Sequence, residues 1–271
     1  MPAAFPSSRR WLDLTTVEAA ALPPETVALL PVTAVEQHGP HLPLGTDAYI
    51  NRGIIGRALE LLPPEVPFLV LPEQTVGTSE EHLDFAGSLS HRPGRLIDIW
   101  TDVLACVCNT PVRRLILFNS HGGQTGLLAP TALDLRVRFG LLVAYASWFD
   151  AGYPEGLFTD EEVRYGLHGG TIETSLMMHL HPELVRSDNL ADFPSSAIEL
   201  DRLTRHLSAN PGYGRLGGFG WKSADLQPSG VTGNAAAATA DAGRKLLDHL
   251  GASLAAMIED MAAATRFIEG A

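Results

Sequence analysis

The chain has 271 residues, 45% of them hydrophobic and 18% charged, with a formal net charge of −12. That much apolar material builds a large core and excludes a disordered chain, and no apolar run approaches the ~20 residues of a membrane-spanning helix. The acidic balance argues against a nucleic-acid partner, whose phosphates require Lys and Arg, and suits a protein that gathers carboxylates around cations.

Residues 1–11 include Pro6, Ser7, Ser8, Arg9 and Arg10 with no apolar stretch, so no secretory signal is predicted and a cytoplasmic location is expected. Four apolar runs read as buried strands: 27–32, 67–71, 114–118 and 141–146. Helical spacing lies between them. Residues 47–62 carry Ile50, Ile54, Ala58 and Leu61 on one face and stop at Pro63-Pro64. Residues 93–108 do the same with Leu96, Ile99, Val103 and Val107, and 126–139 with Leu128, Leu135 and Phe139 before Gly140. This alternation predicts a parallel sheet covered on both faces, within one domain over 1–271. Cys106 and Cys108 read as ordinary buried or half-buried thiols, and Arg113 and Arg114 as solvated. Residues 150–165 read as a loop, followed by a helix that starts near Thr171. The glycine-rich 210–233 stretch, with Tyr213, Phe219 and Trp221, reads as a folded lid or interface. An Ala-rich helix over 234–268, broken near Gly251, closes the chain.

In parallel sheets, ligands gather at the carboxyl ends of the strands. There, after the first strand, stands Glu36-Gln37-His38-Gly39-Pro40-His41-Leu42-Pro43-Leu44-Gly45-Thr46-Asp47. In an extended segment Glu36 and His38 leave one face about 6.6 Å apart, which suits two ions roughly 3.5–4 Å apart. Asp47, after a turn, is placed to bridge them. After the third strand comes Asn119-Ser120-His121-Gly122-Gly123-Gln124, whose imidazole suits Zn²⁺, Mn²⁺ or Fe²⁺ in a mixed nitrogen and oxygen site. The third element is His168-Gly169-Gly170-Thr171-Ile172-Glu173. Glu173 falls in the first turn of its helix, where a carboxylate accepts either a backbone N–H or an ion. Ser79 reads as a substrate contact or a turn residue, and His82 as a support for a ligand or a core histidine. His41 reads as structural, and Trp221 as a pocket cap or as surface packing.

Taken together these segments resemble the creatininase family, creatinine amidohydrolase and its relatives. Gly77-Thr78-Ser79-Glu80-Glu81-His82, Phe85–Ser90 and Ser229–Asn234 add to the match, in family order. The resemblance implies a three-layer α/β/α sandwich with a mostly parallel central sheet, a two-metal site holding Zn, Mn or Fe, and a homohexamer. It implies that Glu36 and His121 hold one ion, that His38 and Glu173 hold the other, and that Asp47 bridges. His168 matches the histidine that shuttles a proton to the leaving nitrogen, and Gly122 and Gly123 offer N–H groups to the substrate. Creatininase proper reads His-Tyr-Glu after the third strand, and that Glu binds metal. Here Gly122 and Gly123 stand in those places, with Glu173 as the natural replacement ligand. Relatives carrying His-Gly-Gly include a formamidopyrimidine deformylase and a peptidase that trims the mycofactocin precursor. The activity expected is therefore cleavage of a C–N bond in a small-molecule amide or cyclic amidine by a metal-activated hydroxide. A metal-binding assembly subunit without chemistry is the non-enzymatic alternative, and the intact set of five ligands speaks against it.

Overall fold

The computed structural model describes residue 5, residues 8–210 and residues 214–264. Strands β1 (Val27–Val32), β2 (Phe68–Val70), β3 (Arg114–Asn119) and β4 (Leu142–Ser147) form a parallel sheet in the order β2-β1-β3-β4. β1 is buried along its whole length because both faces of the sheet are covered. Val27 and Leu29 join Phe68, Ile116 and Phe118 on one face, while Ala28, Leu30 and Val32 join Leu69, Leu115 and Leu117 on the other. This two-residue alternation between two apolar layers is why the strands read as unbroken hydrophobic runs.

The helices are α1 (Thr16–Ala20), α2 (Thr46–Leu61), α3 (Pro93–Cys106), α4 (Thr125–Phe139), α5 (Asp160–Tyr165), α6 (Thr171–Leu180), α7 (Ala197–Leu203), α8 (Ser223–Leu226) and α9 (Ala240–Ala263). α2, α6 and α9 pack together over the first face, and α3 and α4 cover the second. The result is the expected α/β/α sandwich with a parallel centre. A two-stranded antiparallel pair, β5 (Asp192–Phe193) with β6 (Gly233–Asn234), braces the second half. Among the described residues no helix is long and apolar enough to cross a membrane.

Five expectations need correction. α9 runs unbroken through Gly251, where a Cβ would stand 2.4 Å from Arg57 Cγ, so this glycine lets α9 approach α2 closely. Residues 234–239 are not part of that helix; they hold the end of β6 and a 3₁₀ turn, Ala235–Ala237. Arg114 is buried, its guanidinium donating to the Pro24 carbonyl at 2.8 Å, because its position at the start of a central strand leaves only a carbonyl to satisfy it. Cys106 is exposed, against the expectation, whereas Cys108 is half-buried as expected. Within 150–165 the loop gives way to α5. Tyr213 lies outside the described residues.

Candidate metal centre

Beyond β1 the chain stops being extended. Glu36 N donates to the Leu44 carbonyl at 3.0 Å, and His38 Nδ1 donates to the Glu36 carbonyl at 3.1 Å, curling the segment around its own side chains. With Nδ1 occupied, His38 aims Nε2 inward, 3.7 Å from Asp47 Oδ1 and 3.9 Å from Glu173 Oε2. Asp47 comes from the first turn of α2, and Glu173 from the first turn of α6, where it also accepts the Gly169 N–H at 2.6 Å. Both helix N-termini favour a carboxylate. From the end of β3, His121 takes the opposite tautomer. Its Nε2 donates to the Thr78 carbonyl at 2.8 Å, leaving Nδ1 directed at Glu36 Oε1 (3.1 Å) and Asp47 Oδ2 (3.7 Å).

Asp47 thus shows one oxygen to each histidine. Glu36, His38, Asp47 and His121 are each at most 3% exposed. Glu36 Oε2, His38 Nε2 and Asp47 Oδ2 are buried without a hydrogen-bond partner, an arrangement that costs free energy unless a cation satisfies it. Donor atoms around a tetrahedral ion with bonds of about 2.0–2.2 Å lie about 3.3 Å apart, close to the separations found here. The residues fit a metal.

Charge balance tells the same story. Burial opposes ionisation of Glu36, but His121, His82 and His168 hold its carboxyl well below the usual range. Burial, then the Glu36 carboxylate, pushes Asp47 up to about 7. Burial works against a charged His38, yet Asp47, Glu173 and Glu36 raise it to about 9. His121 is likewise raised despite burial, chiefly by Glu36. In the metal-free protein, protons stand where positive charge is needed.

A second ring of groups steadies these side chains. Gln37 donates its amide to His82 Nδ1 at 2.8 Å, so His82 turns Nε2–H toward Glu36 Oε1 at 3.5 Å. His168 donates Nε2–H to the Gln37 carbonyl at 2.6 Å and leaves Nδ1 free, 3.7 Å from Glu36 Oε1. Burial, with His38 and His82 nearby, keeps His168 neutral. His41 is buried, bonded to the Gly169 carbonyl and to Thr174 Oγ1, both at 3.0 Å. It holds the turn ahead of Glu173, the structural placement expected of it.

Glu36, Asp47, His121 and Glu173 open into a cavity of about 670 Å³ lined also by Gly122, Gly123, Trp148, Phe149, Phe219 and Trp221. Ser79 is fully buried and is not part of this wall. Glu81, in the cavity wall and 3.3 Å from His121 Nε2, is a neighbour of the site that the sequence pattern did not single out. Its one signal was an acidic residue beside His82.

A family model described as creatinine amidohydrolase (Creatininase) matches residues 12–258. The chain belongs to the creatininase family. It is accordingly a hydrolase, as its relatives are named. One similar protein, the mycofactocin precursor peptide peptidase of Mycobacterium ulcerans (strain Agy99), is 31% identical over 234 residues, covering 80% of this chain and 78% of that one. A crystal structure of creatinine amidohydrolase (creatininase) matches with a TM-score of 0.76 at 25% identity, over 96% of this chain and 100% of the other. A glutamate-to-glutamine mutant creatininase of "Zn-Zn type" gives 0.74 at 25% identity, over 94% and 98%. Creatininase structures thus carry metal, and this member brings together side chains that could hold an ion.

Proposed function

We propose that this chain is a dinuclear metal-dependent amidohydrolase, one domain over 1–271, that cleaves a C–N bond in a small amide or cyclic amidine. The observation that carries this is Asp47, whose two carboxylate oxygens lie 3.7 Å from His38 Nε2 and 3.7 Å from His121 Nδ1. Glu36, His121 and Asp47 would hold one ion, and His38, Glu173 and Asp47 the other; Zn, Mn and Fe all suit this donor set. When bound, the ions lower the pKa of water toward ~7 and polarise an amide carbonyl.

The remaining work falls to the protein. His168 Nδ1, unprotonated and facing the site, takes a proton and delivers it to the leaving nitrogen. The N–H groups of Gly122 and Gly123, in the cavity wall, help hold the oxyanion. His82 steadies Glu36 through its Nε2–H. Trp148, Phe149, Tyr153, Phe219 and Trp221 line the cavity, and no described Lys or Arg does. That wall favours a neutral or cationic amide with an apolar substituent over an anion. A peptide-like amide is therefore preferred to bare creatinine, in line with His-Gly-Gly at 121–123. A homohexamer and a cytoplasmic location belong to the same proposal, resting on the family resemblance and on composition.

Metal analysis of purified protein, with assays of the loaded enzyme on creatinine, a formamidopyrimidine and short aromatic peptides, tests this. Two ions per chain and chelator-sensitive amide cleavage are expected. Full activity after complete removal of the ions would sink it.

A further inference from the structure

The turn after β2 brings in a carboxylate that the scheme above leaves unused. Glu81 Oε1 lies 3.3 Å from His121 Nε2 and 3.9 Å from His82 Nε2, at the cavity wall. His121 Nε2–H already points to the Thr78 carbonyl. One edge of the ring is thereby held by a neutral and a charged acceptor, while the other edge faces Glu36 and Asp47. The space for this contact exists because residue 123 is glycine. A Cβ there would stand 1.9 Å from Glu81 Oε1 and 2.6 Å from His121 Nε2. The place where a side chain at 123 would begin is filled by a carboxylate from 42 residues earlier in the chain. The turn that carries it is itself anchored. Ser223 Oγ donates to the Glu81 carbonyl at 3.1 Å, and Lys222 Nζ pairs with Asp84 at 2.5 Å, tying the turn to the segment that carries Trp221.

We propose that Glu81 is a positioning residue for the ion site of Glu36 and His121. It shares the His121 Nε2 proton with Thr78, keeps Nδ1 turned toward the ion, and makes that nitrogen a stronger donor. Carboxylate partners of this kind change metal affinity by about 10–100-fold. The proposal rests on the two-ion reading, and the experiment separates the two.

Metal-stripped full-length protein is titrated with Zn²⁺ against a chelating indicator, and with Co²⁺ by visible absorption. Wild type should take two ions. Glu81→Ala should weaken one of them by about 10–100-fold and alter one Co²⁺ spectrum, leaving the other ion as in wild type. Glu81→Gln, which keeps an acceptor oxygen, should recover part of the loss, and Glu80→Ala, on the exposed side of the same turn, should change nothing. Two ions bound by Glu81→Ala with wild-type affinity would overturn the role of Glu81 and leave the two-ion reading intact. Equal loss of both ions with a lowered melting temperature would also overturn it. A wild type that takes up no ion would remove both.

Discussion

His121 Nδ1 faces Glu36 Oε1 across 3.1 Å, although the same ring has already given its Nε2–H to Thr78. Two lone pairs do not approach that closely without positive charge between them. In the metal-free protein a proton supplies it, so protons and ions compete for the same space.

Metal uptake should therefore release protons. His38, held at about 9, is protonated at neutral pH and must lose its proton before Nε2 can bind an ion. Apparent affinity should rise with pH up to about 9, and calorimetry in buffers of different ionisation enthalpy should show proton release at pH 7. Stability of the stripped protein should run the other way. His38 (about 9, against 6.5) and Asp47 (about 7, against 3.8) both have raised values when folded. The folded state binds the extra protons, so their stabilisation is present at low pH and is lost as pH rises through these values. A melting temperature of stripped protein that increased between pH 7 and 9 would contradict this.

Asp47→Asn separates metal binding from folding. One of the two oxygens that face the histidines becomes an NH₂ and the negative charge is lost, so affinity for both ions should fall by about 100-fold, with activity following. The metal-free variant should melt no lower than wild type, because burial already disfavours the Asp47 carboxylate. Parallel metal analysis and thermal melts check both halves.

His168→Ala should keep both ions and lose turnover by about 10²–10⁴-fold. It directs Nδ1 toward Glu36, donates its other proton to a backbone carbonyl, and otherwise meets the site by packing its ring on His38 and His82. Unchanged kcat, with metal content verified, would remove the proton-transfer role.

Glu162 lies apart from the proposed metal ligands yet builds the frame that carries Glu173. Its buried carboxylate accepts the Thr171 N–H at 2.5 Å and the Asn234 N–H at 2.9 Å, joining the start of α6 to β6. Burial pushes its pKa up, opposed by these same hydrogen bonds. Glu162→Ala leaves one buried and one half-buried N–H group unpaired and should cost about 2–4 kcal/mol, a fall in melting temperature of about 5–10 °C. Glu162→Gln, retaining one acceptor, should cost less. Equal melting temperatures for all three proteins would refute this account.

Local pattern carried a large share of this protein. The runs at 27–32 and 114–118 are apolar on both faces, which only a doubly covered parallel strand requires, and the strands end where Glu36 and His121 begin. The density of acids and imidazoles from 36 to 47 pointed to the cluster of buried carboxylates and imidazoles before any contact was known. What local pattern did not hold is which groups meet across the chain. The order β2-β1-β3-β4 sets the turn after β2 against the end of β3, so Glu81 reaches His121 from 40 residues away and Thr78 chooses its tautomer. Arg114 reads as a surface cation until the fold places it under the Pro24 carbonyl, and Gly251 reads as a break until α2 is seen lying against it. Periodicity reports which face of an element is buried, because that depends on neighbours three or four residues away. It is silent on hydrogen-bond partners and close approaches, which depend on how separate elements come together in space.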